Sequence, residues 1–312
     1  MKVCVLAGGT GGALLAAGFL RVVPADALSV VTNTADDLEL WGLHISPDTD
    51  SVVYRLAGIF NDEAGFGLAG ESFAALDMLR RYGEPTWFQI GDRDLATHLL
   101  RARMLAAGMR LTEATADLVG RLGLACRVLP MSDDAVRTWF ETDLGRLSFQ
   151  EYFVRERCLP TVRGLVLAGL ESARPSPEAV EAVAAADLVV LGPSNPVISL
   201  APILRLLGDH FERRSAVAVT PIVGGRALKG PTVEMLRGLG REATPAAVAA
   251  GLAPHAATFV LDEVDRASVA EVRAGGVRVV VADTVMGDLG GAERLARLIL
   301  EVEDFRSCPG SD

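Results

Sequence analysis

The chain is short of the features that mark several common protein classes. It has four cysteines, Cys4, Cys126, Cys158 and Cys308, spread far apart with no Cys-x-x-Cys pair and no histidine at ligand spacing. That excludes a disulfide framework and a zinc module, and it suits a reducing compartment. Positive charge is scarce: 30 Lys and Arg against 40 Asp and Glu leave a net charge of −10. This is the wrong sign for a surface that must neutralise nucleic-acid phosphates. No apolar run is long enough to span a membrane, and glycines end the N-terminal run too early for a signal peptide. No Pro-, Gly- or Ser-rich linker, internal repeat or low-complexity tract divides the 312 residues, 50% of which are hydrophobic and able to bury a large core. The expectation is a cytoplasmic protein acting on small molecules, with no nucleic-acid or membrane partner.

What is present begins at the N-terminus. The apolar run Lys2-Val3-Cys4-Val5-Leu6-Ala7 leads into Gly8-Gly9-Thr10-Gly11-Gly12 and then a helix-like stretch. A strand, a glycine turn and a helix start bring backbone N–H groups and the positive helix end to one point, which suits a phosphate. The Lys-Ser/Thr of a P-loop is missing, and Leu14 stands where a dinucleotide fingerprint needs its third glycine. A tight turn made only for packing is the plainer alternative.

Short apolar runs recur at 28–32, 162–167, 187–191, 216–220, 257–261 and 277–282. Continuous rather than alternating hydrophobicity marks strands buried on both faces, and the helical stretches between them are the crossovers of a parallel sheet. The fold class expected is α/β, a doubly wound, mostly parallel Rossmann-like sheet. Residues 1–64 and 161–304 form its core. Residues 65–160, rich in helix formers and arginines, form a mainly helical insertion that caps the carboxyl ends of the strands; 305–312 read as a tail.

Six stretches are candidates to carry chemistry. Asn33-Thr34-Ala35-Asp36-Asp37 and Ser46-Pro47-Asp48-Thr49-Asp50 place four carboxylates within about one loop length, where Mg²⁺ beside a phosphate is the usual neutraliser; helix caps and turns are the alternative. If the second stretch is an extended loop, Asp48 and Asp50 point to one cavity. Gly91-Asp92-Arg93-Asp94-Leu95-Ala96-Thr97-His98 packs a fixed cation, two carboxylates and a histidine into a short string, a binding site or a capped helix start. Met131-Ser132-Asp133-Asp134 reads as a cap. Gly192-Pro193-Ser194-Asn195-Pro196, after a buried strand, offers N–H and hydroxyl donors to a ligand, and Pro221 to Gly225 with Lys229 repeats that logic.

On these motifs the chain resembles, over nearly its whole length, the 2-phospho-L-lactate transferase family of deazaflavin coenzyme F-420 biosynthesis. The resemblance implies transfer of a phospholactyl or enolpyruvyl-phosphoryl group from a guanosine diphosphate-linked donor to the ribityl hydroxyl of the deazaflavin Fo, with GMP leaving. It implies catalytic roles and deazaflavin contacts for Asp50 and Arg93, and Mg²⁺ held by Asp37 and Asp48. Gly8, Gly9, Thr10, Gly11, Gly12, Asp92, Thr97, His98, Gly192, Pro193, Ser194 and Asn195 are then substrate contacts, and the protein a homodimer. Relatives often carry a basic residue where Leu14 stands. A nucleotide-sugar-binding regulator sharing the core is the alternative; a dinucleotide oxidoreductase is disfavoured, because Thr32 and Asn33 stand where the ribose-binding acid belongs.

Overall fold

The structure, a computed structural model, describes residues 1–307. Its centre is a seven-stranded sheet formed by β1 (Val3–Ala7), β2 (Leu28–Thr32), β3 (Arg127–Pro130), β4 (Leu188–Leu191), β5 (Ala216–Val219), β6 (Thr258–Asp262) and β7 (Arg278–Ala282). The spatial order is β7-β6-β5-β4-β1-β2-β3 and every pairing is parallel. Successive residues of β1 alternate between two cores. Val3, Val5 and Ala7 pack on one face with Leu28, Leu188 and the helices Gly9–Leu20 (α1), Pro47–Leu56 (α2) and Leu289–Ser307. Cys4 and Leu6 pack on the other with Val31, Val189 and Leu191. Helices on both faces of a parallel sheet place the ligand crevice at the carboxyl ends, where the strand order reverses between β1 and β4. The doubly wound α/β expectation holds.

Two assignments from the sequence change. The run 162–167 is not a strand of the main sheet. Val162–Ala168 pairs antiparallel with Arg137–Thr142, which also pairs with Gly145–Ser148, in a separate three-stranded sheet. Arg163 is exposed and Val162 buried, the mixed exposure of a one-sided sheet rather than a two-sided core. The core strand is instead β3, which lies inside the segment 65–160 expected to be mainly helical. As an edge strand of four residues it accommodates Pro130 at its end, where a missing donor is tolerated. That segment's helices are Ala74–Arg81 (α3), Asp92–Ala106 (α4) and Leu111–Arg121 (α5). The expected tail starts within the helix Leu289–Ser307; 308–312, including Cys308, lie outside the described residues.

Candidate active site

The glycine loop forms the corner. α1 starts directly after β1, with Gly8 extended as its N-cap and Gly9 at φ +63°, a left-handed conformation that favours glycine. The first free N–H groups of α1 have side-chain acceptors from elsewhere: Gly8 N–H donates to Ser194 Oγ at 3.0 Å and Gly9 N–H to Asp48 Oδ1 at 2.7 Å. Gly12 lies under the loop after β4. A Cβ there would stand 2.7 Å from Ser194 Oγ and 3.0 Å from the Ala7 Cα, so this glycine is needed for the approach of two backbones. Leu14 packs against the core.

Of the loop after β4, Ser194 thus ties the glycine turn, and Asn195 is occupied internally. Its Oδ1 accepts from the N–H groups of Val197 and Ile198, capping the single wide turn Pro196–Leu200, and its Nδ2 reaches Thr232 Oγ1 at 3.3 Å. Both side chains hold the crevice in shape. The ribbon Ile222–Val223 with Arg226–Ala227 continues this rim after β5.

The acidic residues divide in a way the sequence reading did not foresee. Ser46-Pro47-Asp48-Thr49-Asp50 is not an extended loop: Pro47 is the first residue of α2. Residues two apart on a helix point about 200° apart, so Asp48 and Asp50 face different neighbourhoods. Asp48 turns to α1, and its Oδ2 accepts from Asn33 Nδ2 at 3.0 Å. The same amide donates to Asp36 Oδ2 at 3.0 Å, while Asp36 Oδ1, buried, has no well-formed hydrogen bond among the described residues, although the Thr138 side chain acts on this carboxyl. Burial pushes the Asp48 carboxyl up to about 6, against the lowering effect of the Asn33 and Gly9 hydrogen bonds. Burial lifts Asp36 well above the ordinary carboxylate range, and the charge of Asp48 adds to it. Asp37, expected to share a metal with Asp48, is engaged elsewhere: Oδ1 accepts from Ser46 Oγ at 2.7 Å and Oδ2 lies 2.9 Å from His44 Nε2. Asp48 is the carboxylate that touches the helix start; Asp36 shares its Asn33 amide, and the charge of Asp37 also acts on Asp48. Among the described residues no three His, Cys, Asp or Glu side chains are grouped to hold a metal ion by themselves.

Asp50 faces α4. Both its oxygens are bonded by the Arg101 guanidinium, Oδ2 at 3.0 Å from Nη1 and Oδ1 by Nη2. Arg101 is 1% exposed, its Nε has no partner, and His98 Nδ1 lies 3.8 Å from Asp50 Oδ2. His98 Nε2 in turn lies 3.3 Å from Asp94 Oδ1, to which Tyr54 O–H donates at 2.6 Å. Burial alone would lift the Asp94 carboxyl, but hydrogen bonds from His98 and Tyr54, with the charge of Arg101, bring it below the usual range. Burial and the charges of Asp50 and Asp94 keep the Tyr54 phenol protonated well above its ordinary value. Tyr54 and Arg101 are absent from the expected site, and Asp94 entered it only as a carboxylate of the 91–98 string. Residues 94, 98 and 101 recur at i, i+4 and i+7, the spacing of one helix face, and polar residues on a buried stripe were the available signal.

Asp92 and Arg93 sit on the outside of this cluster. Asp92 caps α3, accepting from Ser72 Oγ and from the N–H groups of Ala74 and Ala75. The Arg93 guanidinium donates to the Ala69 carbonyl at 2.8 Å, at the rim of a cleft between the 61–73 loop and the start of α4. Thr97 lines a smaller cavity with Asp50, Tyr54 and Arg101.

The profile of the family described as 2-phospho-L-lactate transferase CofD matches residues 3–289. The chain belongs to this family. A phosphoenolpyruvate transferase of Streptomyces griseus is 39% identical over 317 residues, covering 97% of this chain and 99% of that protein. A 2-phospho-L-lactate transferase of Methanopyrus kandleri is 38% identical over 314 residues, with 97% of each covered. A crystal structure of a UPF0052 family member from Bacillus halodurans superposes with a TM-score of 0.62 at 16% identity, covering 96% of this chain and 98% of that one; this likeness concerns the fold. Among the described residues no helix is long and apolar enough to cross a membrane.

Proposed function

We propose that this family member transfers a phospholactyl or enolpyruvyl-phosphoryl group from a guanosine diphosphate-linked donor to the terminal hydroxyl of the deazaflavin Fo, releasing GMP, in coenzyme F-420 biosynthesis. The observation that carries the reading is the short supply of positive charge at the glycine corner. A buried carboxylate touches the start of α1 and shares an asparagine amide with a second. The site has room in its electrostatics for a cation and, through it, for a diphosphate.

Mg²⁺ fits this donor set, because it is commonly held by one or two carboxylates with substrate phosphates completing its shell. Asp36 and Asp48 would hold it, and its charge would neutralise the diphosphate as the bond to GMP breaks. The chain's own part is positioning. The backbone of the glycine turn and of Gly192 and Pro193 lines the donor side, Ser194 and Asn195 fix that wall, and Arg93 stands at the rim of the acceptor side. Relatives named for phosphoenolpyruvate and for 2-phospho-L-lactate are about equally similar, so both donors belong in the assay. We place the protein in the cytoplasm as a homodimer; the free thiols of Cys4, Cys126 and Cys158 agree with a reducing compartment.

The test is incubation of the purified protein with Fo, Mg²⁺ and each guanosine-linked donor, with mass detection of the product. Transfer to Fo with one donor and its loss in excess EDTA are expected; full turnover without a divalent cation would remove the metal from the mechanism.

A further inference from the structure

Arginine supplies almost all of this protein's positive charge. Of its 30 Lys and Arg residues only Lys2 and Lys229 are lysines. Against that background the place of a lysine is informative, because an ammonium on a flexible four-carbon stem binds phosphate as a movable point charge, whereas arginine's planar fork suits a fixed partner. Lys2 precedes β1, at the end of the sheet away from the crevice. Lys229 lies on the crevice side, in the segment Leu228-Lys229-Gly230-Pro231 that leads from the ribbon after β5 into the helix Thr232–Gly238.

This stretch of chain is fastened on both sides of the lysine. At the ribbon turn Gly224 N–H donates to Asp265 Oδ2 at 3.0 Å. Beyond the lysine, Thr232 Oγ1 accepts from Asn195, the neighbour of Ser194, whose Oγ takes the Gly8 N–H. Two hydrogen bonds thus join the start of this helix to the glycine turn, and the three-residue step from Thr232 back to Lys229 spans about 10 Å at most. Lys229 is exposed, between the half-exposed Leu228 and Gly230 at φ +71°. Among the described residues it has no hydrogen bond or ion pair. Arg93, Arg101 and Arg110, by contrast, are each bonded to protein acceptors.

We infer that Lys229 binds the diphosphate of the guanosine-linked donor, reaching it from the β4–β5 side of the crevice while Asp36 and Asp48 occupy the β2 side. The inference rests on the donor proposed above. A diphosphate beside two carboxylates carries more negative charge than one Mg²⁺ offsets, and the glycine turn adds only backbone dipoles. An ammonium without a carboxylate partner can supply the remainder and gives up no ion pair when the ligand arrives.

GDP carries the diphosphate without the transferred acid, so its calorimetric titration into the full-length protein with Mg²⁺ is the test. Lys229→Met keeps most of the stem, removes the charge and alters an exposed position. It should weaken GDP binding about tenfold, the loss of one charge-assisted hydrogen bond. The gap from wild type should narrow at high salt. Lys229→Arg should stay within about threefold of wild type. Lys2→Met, which removes the same charge at the far end of β1, should leave the affinity unchanged. If wild type binds GDP and Lys229→Met matches it within about twofold, the inference is wrong while the donor assignment stands. An equal loss in Lys2→Met would reduce the effect to net charge and also overturn the inference. Failure of wild type to bind GDP overturns both readings.

Discussion

The two halves of the crevice handle buried charge in opposite ways. At the glycine corner, Asp36 and Asp48 share one asparagine amide and have no cation beside them, and both carboxyls are pushed up by burial. Against α4, Asp50 has a two-pronged arginine and Asp94 a tyrosine and a histidine. The first region leaves its carboxylates without a charge partner among the described residues, and the second is nearly complete in itself. On the proposed function, a site that takes up and releases a cation with a diphosphate leaves the neutraliser to its ligands, whereas a wall that holds its shape carries its own.

The largest effect expected from this contrast is at Arg101. Arg101→Met strands Asp50 as an unpaired buried charge and should cost about 3–5 kcal/mol in urea unfolding. Adding Asp50→Leu should restore most of it; a mild single variant would mean that the α4 side is not self-contained. Next is Gly12→Ala, whose Cβ meets Ser194 and the Ala7 backbone and should lower stability by about 1–3 kcal/mol. An unchanged urea midpoint would show that the two loops yield to each other easily. Asp36→Asn should behave oppositely to Arg101→Met. In chelator it should be as stable as wild type or up to about 1 kcal/mol more stable, since it removes an uncompensated carboxylate. Mg²⁺ is expected to raise the Tm of wild type but not of this variant, and a clear loss of stability in chelator would break the comparison.

The smallest effect is at His44. Burial pulls its ring down, but the hydrogen bond and charge of Asp37, helped by Glu39, outweigh this and raise it. The folded protein then holds this proton more tightly than the unfolded chain. The contribution is full below the ordinary histidine value of about 6.5 and lost as pH rises through the raised folded value. His44→Gln should flatten the decline in urea midpoint above neutral pH by less than about 1 kcal/mol; an unaltered profile would dismiss the ring as a contributor.

The main sheet was legible because strands buried on both faces write themselves as unbroken apolar runs. The same rule misled at 162–167, where Arg163 interrupts the run, and passed over β3, whose four residues end in arginine and proline. At the site, the glycine turn and the acidic stretches were readable as local motifs. Their directions were not, because the face that Asp48 or Asp50 presents depends on Pro47 starting a helix rather than closing a turn. Asp37 and Asp36 differ by one position in sequence, and only packing decides that Asp37 meets Ser46 and His44 while Asp36 shares the Asn33 amide with Asp48. Arg101 and Tyr54 matter through partners about 50 and 40 residues away in the chain, distances at which no motif reports.

The strand order has a consequence for how the chain comes to be folded at all. β1 is central, with β2 on one side, available within the first 32 residues, and β4 on the other, which begins at Leu188. During synthesis at about 5–20 residues per second, the fully buried β1 has one open edge for roughly ten to forty seconds. Until β4 docks, Ser194 is absent and the glycine turn has nothing to close against. The glycine corner therefore closes only after about three-fifths of the chain has been made, and the exposed edge of β1 marks the interval in which the nascent chain depends on protection from association with its neighbours.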